Sequence, residues 1–218
     1  MKLVGFGCSF TFGSELYAPS VDLDDYRSNI KYREDRCWLG LLGHRFKCSS
    51  VDNFSQPANS NFAIGQQVAN YLLTTPYDPE VVVCVGWTDP ARMSWYSNNK
   101  WTHNGFIVGS NYSQSYKEWV VNTTDDDHTV VSNNAKFSVN SMCKHRSTPL
   151  MQFSALGSKE HQSYDEYFLN GSTMQHYLEK KQIELNMNYF AEGGHPNEAG
   201  HVKFVDIMSE WIEAKKLL

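Results

Sequence analysis

Leu3-Val4-Gly5-Phe6-Gly7-Cys8-Ser9-Phe10-Thr11 opens the chain, and its reading decides the fold class. The first five of these residues form an apolar run of strand length, Gly7 and Gly13 permit a tight turn, and a hydroxyl follows at Ser9. A serine at the carboxyl end of a strand stands where open α/β sheets hold their ligands. Further along, strand and helix patterns alternate. Cys37-Trp38-Leu39-Gly40-Leu41-Leu42 reads as a helix face, residues 49–54 as a strand, residues 59–74 as a helix with Phe62, Ile64, Val68, Tyr71 and Leu72 near one side, and residues 81–86 as a strand. This alternation predicts an α/β three-layer sandwich, a central mostly parallel sheet covered on both faces.

The far end carries a second short motif, Glu192-Gly193-Gly194-His195-Pro196. After it, apolar residues recur at Val202, Val205, Ile207, Met208, Trp211 and Ile212, the spacing of an amphipathic helix with Pro196 near its first turn. A hydroxyl is a poor nucleophile at neutral pH unless an imidazole accepts its proton and a third group fixes that imidazole's tautomer. Ser9 and His195 are therefore expected to meet in space. Glu192, three residues before His195 on a glycine-rich loop, is the expected carboxylate partner of Nδ1. Cys8 is the weaker nucleophile candidate, because side chains adjacent on a strand or turn point apart.

At these residues the sequence resembles the SGNH or GDSL hydrolases, which cut esters with a serine near the amino terminus. Their first block, Gly-Asp-Ser-x-Thr, is matched by Gly7-Cys8-Ser9-Phe10-Thr11, with cysteine for aspartate. Their last block, Asp-x-x-His-Pro, is matched by Glu192-Gly193-Gly194-His195-Pro196, with glutamate for aspartate. The second block resembles the segment from Asn53 to Asn61, where Ala58 takes the seat of a glycine whose N–H serves the oxyanion. The third resembles Gly86-Trp87-Thr88-Asp89, where Thr88 takes the seat of an asparagine. A threonine hydroxyl also donates but reaches less far than an amide, so Asn59 and Asn61 stand as alternative donors. The resemblance covers about residues 2–96 and 185–216 and implies a flavodoxin-like sheet and a Ser9-His195-Glu192 esterase with no cofactor. Its expected substrate is a small-molecule or glycan ester, such as a short acyl group on a carbohydrate. An acyltransferase using the same triad, or an inactive binding module, fits the same motifs. A Gly-Cys-Ser-Phe-Thr start also resembles open reading frames of tailed phages.

Between the motifs the patterns weaken. The polar stretch from Ser9 to Asp35 reads as a surface loop or lid. Residues 96–145 read as an irregular insertion rich in aromatics, with Trp101, Phe106, Tyr112, Tyr116 and Trp119 and an acidic turn at Asp125-Asp126-Asp127. These aromatics either line a groove for a polar ligand or pack a small subdomain onto the sheet. Residues 149–154 form a further expected strand, and residues 164–185 include helix. The whole chain, 1–218, is expected to be one domain.

Composition narrows the function. A net charge of −5 with no basic run gives no electrostatic footprint for nucleic acid. No stretch is long enough to span a membrane, and the amino-terminal run, broken by glycines, reads as a core strand rather than a signal peptide. Five cysteines without a C-x-x-C pair read as reduced thiols, which suits a cytoplasmic protein. The eight histidines show no metal-ligand spacing, so no metal is expected. His201 is expected on a helix surface, Arg92 in a structural ion pair in preference to a contact with an anionic substrate group, and Asp89 as the cap of a helix. The sequence does not set an oligomeric state.

Overall fold

The structure, a computed structural model, describes residues 1–18, 29–97, 100–104, 122–157 and 172–215. Its centre is a four-stranded parallel sheet of order β2-β1-β3-β6, built from β1 (Lys2–Gly7), β2 (Ser50–Asn53), β3 (Val81–Trp87) and β6 (Leu150–Ser154). The chain goes from β1 outward to β2, then crosses back to place β3 on the other side of β1. That reversal is the topological switch point of a flavodoxin-like sheet, where diverging connections leave a crevice at the carboxyl ends of the strands. Ser9 follows β1 at that point.

Strand alternation divides the core in two. On one face Leu3, Val82, Cys84, Met151 and Phe153 pack against Trp38, Leu39 and Leu42 of α3 (Trp38–Arg45). The same cluster takes in Leu178 of α6 (Met174–Leu185) and Phe204, Met208 and Ile212 of α7 (Glu198–Lys215). On the other face Val4, Phe6, Val83, Val85 and Trp87 pack against Ile64, Val68 and Leu72 of α4 (Asn61–Thr74) and against Val139 and Cys143 of α5 (Asp125–His145). Two shorter helices, α1 (Ser9–Phe12) and α2 (Ile30–Arg36), precede α3. β4 (Met93–Ser97) and β5 (Lys100–Asn104) form a separate antiparallel hairpin. The predicted three-layer α/β architecture is the observed one, and all five cysteines are free thiols.

Two readings of the sequence need correction. The segment before Asp35 is not wholly loop: it holds α1 and most of α2, while its residues 19–28 lie outside the described residues. Nor is 96–145 irregular throughout. Trp95, Tyr96 and Trp101 lie on the β4–β5 hairpin, and the acidic triplet is the first turn of the 21-residue helix α5. A capping box at its start, Thr124 with Asp127, satisfies orphan backbone donors, and three aspartates there suit the positive end of the helix dipole. The helix is hard to see in the sequence because its buried face, Ser132, Lys136, Val139 and Cys143, is half polar. Burial pulls the Lys136 ammonium down to about 8. Phe106, Tyr112, Tyr116 and Trp119 lie outside the described residues.

Candidate active site

The site assembles around Gly7. Gly7 pairs with Gly86 across β1 and β3, so Ser9 and Thr88, each two residues further on, leave the sheet side by side. A Cβ on either glycine would lie 2.3 Å from Thr11 Oγ1. Glycine at both positions is thus what lets the α1 turn sit down on the strand ends. The second block is tied to the same point: Gln56 N and Asn59 Nδ2 both donate to the Gly7 carbonyl, at 3.2 and 3.1 Å.

Ser9 begins α1 and is 4% exposed. The short helix ends at Gly13, whose left-handed backbone turns the chain so that both Gly13 N and Ser14 N donate to Ser9 O at 3.0 Å. This turn swings Glu15, itself at φ 64°, toward the far end of the chain. There its carboxylate meets the His195 loop: Oε1 accepts from Gly193 N at 2.8 Å, and Oε2 accepts from His195 N at 3.2 Å and from His195 Nδ1 at 2.6 Å. The Phe10 ring, next to Ser9, packs edge-on against the imidazole with centroids 5.7 Å apart. Partial burial works against the Glu15 charge, but the His195 side chain and the two backbone amides outweigh it, so the carboxyl is held below its ordinary value. An ionised carboxylate only accepts hydrogen bonds, so Nδ1 carries the proton and Nε2 is left as the basic nitrogen.

Glu192 therefore does not take the position expected for it. It is exposed, and no hydrogen bond or ion pair joins it to His195. The loop closes on itself, with Ala191 N donating to His195 O at 2.8 Å and Gly194 N to Ala191 O at 3.0 Å, and this tight return holds Glu192 on the outside. Sequence reasoning missed Glu15. The only local signal is its place six residues after Ser9, just beyond Gly13.

The loop is braced from behind. Asn197 Oδ1 accepts from Gly200 N at 2.9 Å to start α7, and Glu198 receives the Tyr32 hydroxyl and, at 2.9 Å, the Arg36 guanidinium, both from α2. His201, one turn further along, is fully buried rather than on the surface: its Nδ1 accepts from Trp38 N at 3.1 Å. Burial, reinforced by nearby His195, holds its pKa down to about 3.

The candidate oxyanion residues divide. Ala58 adopts φ 63°, the left-handed conformation that the glycine in its seat would take freely. Asn59 and Asn61 are not available as donors, because a carboxamide has two N–H groups and both residues use them elsewhere. Asn59 donates to Gly7 O and Gln67 Oε1, and Asn61 to Thr88 O and Ser132 Oγ, while Asn61 Oδ1 accepts from Thr88 N at 2.8 Å. Asn61 thus fixes the Thr88 backbone from both sides. Thr88 is 1% exposed, and its Oγ1 is buried without a hydrogen-bond partner among the described residues. Asp89 caps no helix; its Oδ1 accepts from Ala91 N at 2.9 Å in a turn that leads into β4. Arg92 forms no ion pair among the described residues. No group of three or more metal-ligating side chains stands together among the described residues, and no described helix is long and apolar enough to cross a membrane.

No family model matches this sequence, and no curated protein matches it. Solved structures do. The chain is similar to a carbohydrate esterase whose active site is described as displaying divergent catalytic and non-catalytic binding functions, at 13% identity and a TM-score of 0.51, covering 100% of this chain and 66% of that one. It is similar also to an acetyl xylan esterase from the rumen bacterium Butyrivibrio proteoclasticus, at 12% identity and a TM-score of 0.50, covering 98% of this chain and 63% of that one. A member of the lipolytic G-D-S-L family from Veillonella parvula matches at 13% identity and a TM-score of 0.43, over 96% of this chain and 97% of the other. The chain thus spans about two thirds of the length of the two carbohydrate esterases. At such identities the likeness is one of fold.

Proposed function

We propose that this chain, whose fold is that of the SGNH hydrolases, is a serine esterase with Ser9 as nucleophile, His195 as general base and Glu15 as the carboxylate that orients the base. The observation that carries the reading is the 2.6 Å bond from His195 Nδ1 to Glu15 Oε2, made by a residue six positions after Ser9 on the same turn. A histidine whose Nδ1–H is held by a carboxylate presents Nε2 as a base, and the element holding it begins with the hydroxyl that needs one.

In the first step Ser9 Oγ attacks the ester carbonyl carbon as His195 Nε2 takes the hydroxyl proton. The tetrahedral intermediate then collapses, His195 returns the proton to the leaving alcohol oxygen, and an acyl-serine remains. Water repeats the sequence, giving its proton to His195, and releases the acid with Ser9 restored. The backbone N–H groups of Ser9 and Ala58 and the Thr88 hydroxyl are the assigned oxyanion donors. Support for Thr88 is its buried Oγ1, a donor without an acceptor among the described residues.

The finer assignment is a short acyl group on a carbohydrate. Its support is that the two structural neighbours with TM-scores of 0.50 and 0.51 are an acetyl xylan esterase and a carbohydrate esterase. Two measurements test the reading. A fluorophosphonate probe is expected to label Ser9, and the label to vanish in His195→Ala; folded wild-type protein that stays unlabelled overturns the esterase assignment. Release of acetate from an acetylated xylo-oligosaccharide, at a rate above that from a simple alkyl acetate, is the expected mark of the carbohydrate preference.

A further inference from the structure

We infer that the cleft against Phe54, beside β2, is a subsite for a neutral glycan, which holds sugar units of the substrate away from the ester that is cut. The inference rests on the carbohydrate-ester reading and deepens it. Its basis is a fixed, half-exposed aromatic ring in an uncharged cleft walled by side-chain amides and hydroxyls, two of whose walls are tied by hydrogen bonds to the Gly7 carbonyl.

Phe54 directly follows β2 and is 47% exposed. A single exposed apolar side chain is ordinary on a protein surface, but this one is held in place. Its ring stacks on that of buried Phe6, with centroids 5.6 Å apart and planes 21° from parallel, and meets Tyr71 of α4 at 5.9 Å. Phe6 and Tyr71 in turn pack edge-on at 5.7 Å. The backbone is pinned as well: Phe54 N donates to Gly5 O at 2.8 Å, and Ser55 N to Asn53 Oδ1 at 3.1 Å. The ring is thus fixed before a ligand arrives, and binding against it costs little further ordering.

The cleft beside this ring has a volume of about 310 Å³, near the lower end for small-ligand pockets. Gln56, Gln67, Asn70, Thr74 and Thr75 complete its walls, and among the described residues that line it none is charged. Those groups select the occupant. An anion or a charged peptide calls for an opposite charge, and an acyl chain calls for apolar walls throughout. A sugar has both kinds of surface: its C–H face lies against an aromatic ring, and its hydroxyls, each donor and acceptor, pair with amides that offer the same two functions. Asn59 relates the cleft to the candidate site. Its Nδ2 donates to Gln67 Oε1 at 3.0 Å and to Gly7 O at 3.1 Å, and Gln56 N donates to the same carbonyl at 3.2 Å. Gly7 lies two positions before Ser9. A second cleft, of about 520 Å³, shares Tyr71 and Thr75 with the first and brings exposed Tyr77 and the Asp52 carboxylate, a further acceptor for hydroxyls. Lys2 and Asp78 in that cleft pair with each other at 2.7 Å. The groove therefore runs on past the first cleft, as a chain of sugars requires.

Binding and turnover test this separately. The Ser9→Ala protein, which cannot form an acyl-enzyme, is titrated calorimetrically with three unacetylated neutral oligosaccharides: xylohexaose, cellohexaose and mannohexaose. Saturable binding of at least one is expected, weakened about tenfold when Phe54→Ala is added and several-fold by Gln56→Ala, a change at an exposed side chain. No saturable binding of any of the three, or binding that neither variant weakens, overturns the proposal. Saturable binding of decanoate instead, lost in Phe54→Ala, also overturns it and gives the cleft to an acyl chain. In the enzyme itself the preference for an acetylated form of the oligosaccharide that binds over 4-nitrophenyl acetate, as a ratio of kcat/KM, is expected to fall about tenfold in Phe54→Ala; an unchanged ratio counts against the subsite. Should that variant fail to fold, Phe54→Leu and Gln56→Ala carry both measurements. A Ser9→Ala protein that binds the glycan through Phe54, while the wild type resists the fluorophosphonate probe, sinks the esterase reading and leaves this one standing; a labelled protein that binds none of the three does the reverse.

Discussion

Glu15 and His195, 180 residues apart in the chain, share a 2.6 Å hydrogen bond between a carboxylate oxygen and Nδ1. The acid therefore arrives from the turn that follows Ser9 and not from the histidine's own loop. Ser9, Gly13 and Glu15 lie on one continuous turn, so the residues proposed to start and to support the proton transfer are held by the same backbone.

Glu15→Gln keeps the shape of the side chain but replaces the carboxylate, whose acceptor oxygens fix the imidazole tautomer, with an amide. A fall in kcat of about 10³ to 10⁴ is expected, by analogy with the loss of a triad carboxylate elsewhere. Glu192→Gln removes an exposed charge and should leave kcat within about twofold. Steady-state kinetics on a 4-nitrophenyl ester decide between them, and the reverse ranking would return the role to Glu192.

Thr88→Val removes a hydroxyl while keeping the side-chain shape, in a place where that hydroxyl has no partner to lose among the described residues. Folding stability should hold or rise slightly, since an unsatisfied buried group is removed. Turnover should drop by about 10² if the hydroxyl serves the oxyanion. The contrast between an unchanged melting curve and a slowed reaction is the measurement that separates a chemical role from a packing one.

At Gly193 an added Cβ would lie 2.5 Å from Glu15 Oε1 and 2.6 Å from Oε2. Gly193→Ala must push the carboxylate away from the amide that binds it, lengthening the bond to Nδ1 as well. Activity is expected to fall in the same direction as in Glu15→Gln but less far. Gly194→Ala gives a useful comparison, because no atom lies within 4 Å of its Cβ; only its φ of 86° is strained, at a cost of about 1 kcal/mol. Thermal melts and kinetics on the pair separate backbone strain from displacement of the acid.

Among the described residues, His201 and Glu15 add acid sensitivity in different windows. His201 is held neutral to about pH 3, whereas an unfolded histidine gains a proton near 6.5. Between those values the unfolded chain binds the extra proton, so stability falls as pH drops, by about 1.4 kcal/mol per unit at most. Glu15 acts lower: its folded carboxyl is held below the ordinary glutamate value, so the stability it adds is present above that value and lost as pH falls through the folded one. His201→Asn, whose Oδ1 can replace Nδ1 as acceptor for Trp38 N, should flatten the stability profile between pH 6.5 and 4.5 in denaturant melts and leave the lower limb in place. An unchanged slope in the upper window would show that His201 is not its source.

What could be read in the sequence was local. The β1 run ending at Ser9, the Val81-to-Val85 strand and the amphipathic stretch after His195 each carry their periodicity within a few residues, and their order alone specifies a parallel sheet with helices on both faces. That β1 and β3 are neighbours, with Gly7 paired to Gly86 so that Ser9 and Thr88 leave the sheet together, is visible only in the sheet's order. The helix α5 was hidden because its buried face mixes Ser132 and Lys136 with Val139 and Cys143, which erases the apolar stripe that periodicity needs.

The partner of His195 was decided only by the folded chain. Sequence proximity favours Glu192, since a loop of three residues can bring it back to the imidazole at small entropic cost. Yet the Ala191–His195 and Gly194–Ala191 hydrogen bonds close that loop in a sense that turns Glu192 outward and leaves two backbone N–H groups facing in. Those donors and the imidazole N–H together select a carboxylate, and the sheet delivers the one attached to β1. A hydrogen-bonding vacancy belongs to the arrangement of the backbone in space, and the chain's order does not reveal which residue will fill it.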